Sequence, residues 1–279
     1  NKRGENYQFE MSSPITAEKS CSRLSTHLTY GTISHRAVFQ EATKKRDQIK
    51  HTNKNFAKSI NSFLSRLHWR SHFIQKLEDQ PSIEHTSFIP VYDQIREKDE
   101  EKLEAWIEGK TGVHFIDACM IYLRNYGWIN FRMRAMLASF ASYNLWLDWR
   151  YFAPRLAALF TDFEPGIHYS QIQMQSGTTG INTIRMYNPY KQAMDQDPLA
   201  KFIKSQIPEV KNFPPAFFHN PPKKSLNVNL FDNEFQKEII NVKETAQYAR
   251  KKIFDIRKSQ EHKILAKNVY LKHGSRGRS

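Results

Sequence analysis

Two cysteines, Cys21 and Cys119, are too few for a disulfide framework or a Cys-rich zinc site, and each reads as a packed thiol. Ten glycines in 279 residues, with no alternating Val/Thr runs, argue against a mainly β protein. No run of about 18 apolar residues is present to make a membrane-spanning helix, and nothing at the start resembles a signal peptide. A soluble, intracellular, cytoplasmic chain is expected. The eleven histidines show no HExxH or other paired ligand spacing, so no metal is expected. Acidic residues are also short, 28 Asp and Glu against 42 Lys and Arg, which leaves a net charge of +14. Such a charge attracts polyanions, nucleic acid above all, although an anionic membrane surface would attract it as well.

What the chain does have is aromatic residues, 13% of the total, and long segments of good helix formers. An all-α fold is predicted. Ser13 and Pro14 open one helix that stops at Gly31, spanning 14–30. Further helices are predicted from Ser34 to Gln48, Lys54 to Leu77, Asp99 to Glu108, Val113 to Tyr126, Asn130 to Asn144 and Trp149 to about Phe160. Residues 79–98 read as a loop. Residues 164–189, where periodicity gives way to Gly, Thr, Asn and Gln, read as a long irregular segment of the kind that is functional or disordered. Asp197 and Pro198 start another helix ending near Pro208, "NFPPAFFHNPPKK" is a connector, and 242–272 is a basic helical pair. One domain over 1–279 is expected, with 1–11 and 275–279 as flexible ends.

The stretch "YGWINFRMRAMLASFASYNLWLDWRYF", residues 126–152, has core-like spacing yet carries Arg132, Arg134 and Arg150 beside Trp128, Trp146 and Trp149. Buried guanidinium groups need anionic partners, so internal carboxylates or a bound anionic, aromatic ligand are implied. In "SCSRLS", Ser22, Arg23 and Ser25 offer hydroxyls, a guanidinium and backbone N–H groups suited to a diphosphate. The residues alone are as well explained by an Arg23 ion pair with serines that cap or face water. "EGKTG", 108–112, is no phosphate loop, because position 104 is glutamate where that motif needs glycine.

Taken together, "SPITAEKSCSRLSTHLTYGTIS", "AWIEGKTGVHFIDACMIYLRNYGW", "LASFASYNLWLDWR", "YNP" followed by "DQDP", and the terminal "KHGSR" resemble the C-terminal FAD-binding domain of the DNA photolyase and cryptochrome family. The resemblance runs in order along nearly the whole chain. It implies a helical domain that folds FAD into a bent shape beneath a surface cavity. The family's N-terminal α/β antenna domain is absent from this chain. By the same resemblance, Ser22, Arg23, Leu24 and Ser25 grip phosphate, Phe63, Trp128 and Arg134 surround the cofactor, and Asp162 and Glu164 are its acidic contacts. His168 aligns with the residue facing flavin N5, where a neutral imidazole would donate a hydrogen bond. The alternative for His168 is a loop position facing water.

The sequence also departs from that family. In "SRLHWRSHF" the stacking tryptophan is Trp69 and Arg70 follows it, but the glutamate that dimer repair uses is replaced by Arg66. The active-site asparagine aligns with Phe131, the pocket methionine with Ala135, and no (6-4)-type histidine pair is present. Trp149 and Trp106 match the middle and outer members of the family's electron-transfer tryptophans. The inner position falls near Ile172, with Tyr151 or Tyr169 as candidate replacements. The function implied is blue-light electron transfer from reduced FAD to a DNA lesion, with Arg66, Trp69, Arg70 and Arg132 touching DNA. The alternative is a cryptochrome-like photoreceptor that signals through a partner.

Overall fold

Helix starts are set by short polar side chains. In the computed structural model, which describes residues 3–220 and 237–274, Ser13 accepts from the Ile15 N–H, Ser34 from Ala37, Asn53 from Phe56 and Asp99 from Lys102. Each satisfies a donor that a helix N-terminus would otherwise leave free. The first helices are α1 (Tyr7–Glu10), α2 (Pro14–Ser20), α3 (Ser25–Thr29), α4 (His35–Ile49), α5 (Lys54–Asp79), α6 (Glu100–Glu108), α7 (His114–Tyr126) and α8 (Phe131–Ser139). They are followed by α9 (Trp149–Ala157), α10 (Pro165–Ser176), α11 (Pro189–Gln196), α12 (Lys201–Gln206), α13 (Pro215–His219), α14 (Val242–Lys258) and α15 (Gln260–His273). No strand occurs among the described residues, and the fold is all-α.

The main core is built on α6 to α9, where Leu103, Ile116, Met120, Leu123, Met133, Met136, Phe140 and Phe152 are wholly buried. A π-helical turn, Phe140–Asn144, ends α8. Beside this core, α5 packs between α4 and α10. The contact with α10 is backbone to backbone, since a Cβ on Gly166 would come within 2.7 Å of the Ile74 Cα.

Four expectations are corrected. The predicted 14–30 helix breaks at 21–24, because Cys21 turns to extended backbone and Arg23 takes a left-handed conformation with φ of 59°. There is no Gly or Pro at the break to announce it. The segment predicted to be irregular is helical over its first half, as α10. Its inward face is polar, with Ser170, Gln173, Gln175 and Ser176 all buried, so no apolar period marks it. Gln173 explains how that burial is tolerated: its side chain donates to the Ile83 and Thr86 carbonyls and accepts from the Phe88 N–H and the Thr178 hydroxyl. Helix α11 begins at Pro189, capped by Asn188, and Asp197 lies between helices, accepting from the Phe202 and Ile203 N–H groups. Finally, the expected loose end contains α1, pinned to α5 by a Gln8 N–H to Ser59 hydrogen bond and by Tyr7 against Phe63. Residues 221–224 of the connector and the predicted end at 275–279 lie outside the described residues.

Candidate functional site

Spacing along α5 sets out the first wall. Phe63, Arg66, Trp69 and Arg70 recur at three and four residues and share one helical face. Arg70 turns inward: its Nη2 donates to the Glu164 carboxylate at 3.2 Å and to the Leu28 carbonyl at 3.2 Å, tying α5 to α3 and to the turn before α10. Only 15% of its side chain is exposed, so it does not stand on an open rim as expected of a DNA contact. Trp69 is 42% exposed and stacks on Phe73 at 5.5 Å. Arg66 is exposed and interacts with the Tyr7 hydroxyl; no carboxylate pairs with it among the described residues.

The second wall comes from α8 and the chain entering α10. Arg134 donates from Nε to the Ile129 carbonyl at 2.7 Å and from Nη2 to Asp162 at 2.9 Å, with its guanidinium 4.2 Å from the Phe160 ring centre. The Asp162 side chain is only 3% exposed. Burial pushes its carboxyl up, but Arg134 and the nearby Ser25 hydroxyl outweigh that and hold it below the usual carboxylate range. Its Oδ1 is buried and finds no hydrogen-bond partner among the described residues. The Thr29 hydroxyl reaches the Asp162 carbonyl at 3.4 Å, which ties α3 to this wall.

The broken turn between α2 and α3 closes the third side. Arg23, in its left-handed conformation, lays its guanidinium 4.0 Å from the centre of the Trp128 ring. The Ser22 hydroxyl accepts from the Leu24 N–H at 3.4 Å. Ser22, Arg23, Leu24, Ser25, Trp128, Arg134, Asp162, Glu164 and Arg70 therefore belong to one connected network. Tyr7 and Cys21, neither of which the sequence placed at the site, join it. Tyr7 sits against Phe63 and Arg66, and burial raises the Cys21 thiol to about 11 despite Arg23, Arg3 and Arg134 nearby. No sequence signal marks Tyr7, because a four-residue helix is too short to show an apolar period.

Of the three core arginines, Arg150 is held by Asp148 and Asp93 and Arg134 by Asp162. Arg132 is half-buried, and its Nε has no partner among the described residues. Phe131, beside it, is 50% exposed. His168 is buried in α10 and does not face water. Its Nε2 sits 2.9 Å from the Ala153 carbonyl, which can only accept, so Nε2 carries the hydrogen. Burial, with the Ala153 bond opposing and Arg134 assisting, takes its pKa down to about 4. Near neutrality Nδ1 is therefore a bare acceptor, contrary to the expected donor.

The tryptophans separate. Trp149 donates to the Ser87 hydroxyl at 2.9 Å and meets Tyr169 edge-on at 6.4 Å. Trp106 has no exposed surface and packs against Phe152 at 5.6 Å. An outer electron donor reaches reductants in solution most readily from an exposed ring, and the ring of Trp106, expected in that role, is fully enclosed. Ile172 is buried, and of the two candidate tyrosines Tyr169 is the one in ring contact with Trp149.

Residues 63–262 match the family model described as the FAD binding domain of DNA photolyase. The chain belongs to this family. Its fold is that of the photolyase and cryptochrome FAD-binding domain, and FAD is the cofactor. Over 241 residues it is 32% identical to the deoxyribodipyrimidine photo-lyase of Buchnera aphidicola subsp. Baizongia pistaciae, covering 84% of this chain and 48% of that protein. An archaeal photolyase from Sulfolobus tokodaii, solved with two FAD molecules, superposes with a TM-score of 0.73 at 29% identity, over 88% of this chain and 52% of that one. A cryptochrome from Synechocystis has the same fold, with a TM-score of 0.79 at 22% identity, over 89% and 52% of the two chains. The chain thus spans about half the length of the relatives it matches. None of the helices among the described residues is long and apolar enough to cross a membrane.

Proposed function

We propose that the network around Arg134 holds FAD and that the domain acts, under blue light, on a lesion in DNA. The observation that carries this reading is the continuity of the network. Three segments far apart in sequence supply hydroxyls and N–H groups, a guanidinium–carboxylate pair, and a buried carboxylate oxygen with no partner among the described residues.

These residues fit the cofactor. The Ser22–Ser25 turn and Arg23 suit a diphosphate, while Phe63 and Trp128 provide flat apolar surface. Asp162 Oδ1 is an acceptor for a ring or ribityl donor, and Glu164 is steadied by Arg70. When bound, FAD supplies light absorption and the transferred electron. The protein's own part is orientation, exclusion of water and electrostatics. Arg134 keeps Asp162 ionised, and His168 offers an acceptor at Nδ1, which suits a flavin whose N5 bears hydrogen. Tyr169, against Trp149, is the better placed of the two tyrosines to replace the inner tryptophan.

Trp69 is the exposed stacking surface for a flipped base, flanked by Arg66 and with Arg132 for phosphate. Arg70 acts as a positioning residue behind Glu164. The net charge of +14 supports a DNA partner. A second reading, light sensing without repair, is favoured by one observation: at Arg66 a cation stands where dimer repair uses a carboxyl group. The test is to illuminate the FAD-loaded protein with a thymine-dimer oligonucleotide and a thiol reductant. Loss of dimers with recovery of the flavin spectrum supports repair. Flavin bleaching with intact dimers moves light sensing ahead.

A further inference from the structure

Residues 3–12 touch all three walls of the Arg134 network. At one end, Arg3 Nη1 donates to the Glu18 carbonyl at 2.8 Å and to the Cys21 carbonyl at 2.9 Å, at the broken turn. Further along, Glu5 accepts from the Asn53 side chain at 2.8 Å and the Gln8 N–H donates to the Ser59 hydroxyl at 3.2 Å, which fastens the segment to the start of α5. At the other end, Asn130, immediately before α8, donates from Nδ2 to the Met11 carbonyl at 3.0 Å and the Ser12 carbonyl at 2.7 Å. The Glu10 carboxylate accepts from the Ser20 hydroxyl, and its carbonyl from the Thr16 hydroxyl at 2.7 Å, so the segment lies back along α2.

Of these ties, the one made by Arg3 bears most directly on the Ser22–Ser25 turn. Had α2 continued, the Glu18 carbonyl would accept from the Ser22 N–H, four residues on. The chain instead leaves the helix at Cys21, with ψ of 148°, and the guanidinium takes that carbonyl. No acceptor takes the Ser22 N–H among the described residues, so it is left for a ligand. Because the same nitrogen also holds the Cys21 carbonyl, it bridges the last turn of the helix and the peptide leading into Ser22, which fixes the direction of exit. Helix-end carbonyls without such a partner would turn to water. The guanidinium binds carbonyls rather than carboxylates, so no ion pair cancels its charge among the described residues. That charge acts on the Cys21 thiol together with those of Arg23 and Arg134. Arg3 reaches back to α2 across Gly4, whose φ of 98° is a conformation that residues with a Cβ rarely adopt.

We propose that Arg3 is a positioning residue for the cofactor: it shapes the Ser22–Ser25 turn to receive the FAD diphosphate, keeps the Ser22 N–H available and adds a positive charge to the turn. This rests on reading the Arg134 network as the FAD site. Gly4 serves the same device, because it lets Arg3 return to α2.

The test titrates the flavin-free full chain with FAD, followed by flavin fluorescence, in Arg3→Gln, Arg3→Lys, Gly4→Ala and the Arg3→Gln, Gly4→Ala double variant, with Asp162→Asn in parallel and melting temperatures recorded for each. Arg3 is exposed, so its variants should fold. Arg3→Gln should weaken FAD binding by roughly five- to tenfold, the worth of a charged hydrogen-bond donor at an exposed site, and reduce the salt dependence of binding. Arg3→Lys should recover part of the loss. Gly4→Ala should match Arg3→Gln, and the double variant should be no worse than either, because both break one contact. Unchanged affinity in Arg3→Gln beside a weakened Asp162→Asn overturns this proposal alone, and a lowered melting temperature with unchanged affinity would reduce Arg3 to a helix cap. Additive losses in the double variant also overturn it. If Asp162→Asn has no effect either, the FAD reading fails and this proposal with it.

Discussion

Replacing Asp162 with asparagine keeps the shape of the side chain and removes the charge that Arg134 faces. Asp162 is almost fully enclosed, but a quarter of the Arg134 side chain is exposed. The loss should therefore sit at the lower end of the range for breaking a buried pair, about 3 kcal/mol. For a domain of this size that is a fall in melting temperature of roughly 6 °C. The assay is urea unfolding of the flavin-free protein, run as a double-mutant cycle with Arg134→Gln. The double variant should recover most of the loss, because a neutral pair leaves no stranded charge. The pH dependence follows from the direction of the shift. Asp162 is held below its ordinary value, so its contribution is fully present above the unfolded carboxylate pKa of about 3.9 and is lost as pH falls through the depressed value. The deficit of Asp162→Asn should stay constant from pH 5 to 8 and narrow only in stronger acid. Loss below about 0.5 kcal/mol, or strict additivity with Arg134→Gln, would refute the reasoning.

Three other outcomes are expected. His114, His168 and His273 are each held near 4 by burial, so stability from their neutral forms is present above about 6.5 and lost as pH falls towards 4, while Asp117, raised to about 6 by burial, opposes them in the same window. Unfolding free energy should therefore fall on acidification between pH 6.5 and 4, and more steeply in Asp117→Asn. Gln173→Leu strands two carbonyls and an N–H and should cost at least about 3 kcal/mol, with faster hydrogen exchange at Phe88; an unchanged exchange rate there would sink the claim that Gln173 pins this segment. Trp69→Ala should weaken binding of a thymine-dimer oligonucleotide by about tenfold or more while leaving FAD content intact, and Arg66→Glu should alter the same binding. If Arg66→Glu leaves both dimer binding and dimer repair unchanged, Arg66 does not stand beside the lesion.

The long amphipathic helices were legible because their signals are local. Asn53 caps α5 and its apolar positions recur with helical period, and Asp99 and Gly109 bracket α6. Helix α10 was not, since its buried face is made of Ser and Gln whose partners lie on other segments. The break at Cys21–Leu24 was hidden for a similar reason: what favours it is the seating of Arg23 on Trp128, a contact between residues a hundred positions apart. In the candidate site, Arg134 and Asp162 came from family resemblance, which carries residue types but not exposure, and so could not show that Trp106 is enclosed or that Arg70 turns inward. The tautomer of His168 depends on the Ala153 carbonyl, and a carbonyl leaves no trace in a sequence.

The central claim is that the Arg134 network is the FAD site, and titration of purified, flavin-free protein with FAD, followed by quenching of flavin fluorescence, tests it most directly. Saturation at one FAD per chain is expected, with affinity reduced about 10- to 100-fold in Asp162→Asn, the loss of one charge-assisted hydrogen bond, and unchanged in Trp69→Ala. No uptake, or equal affinity in wild type and Asp162→Asn, would contradict it.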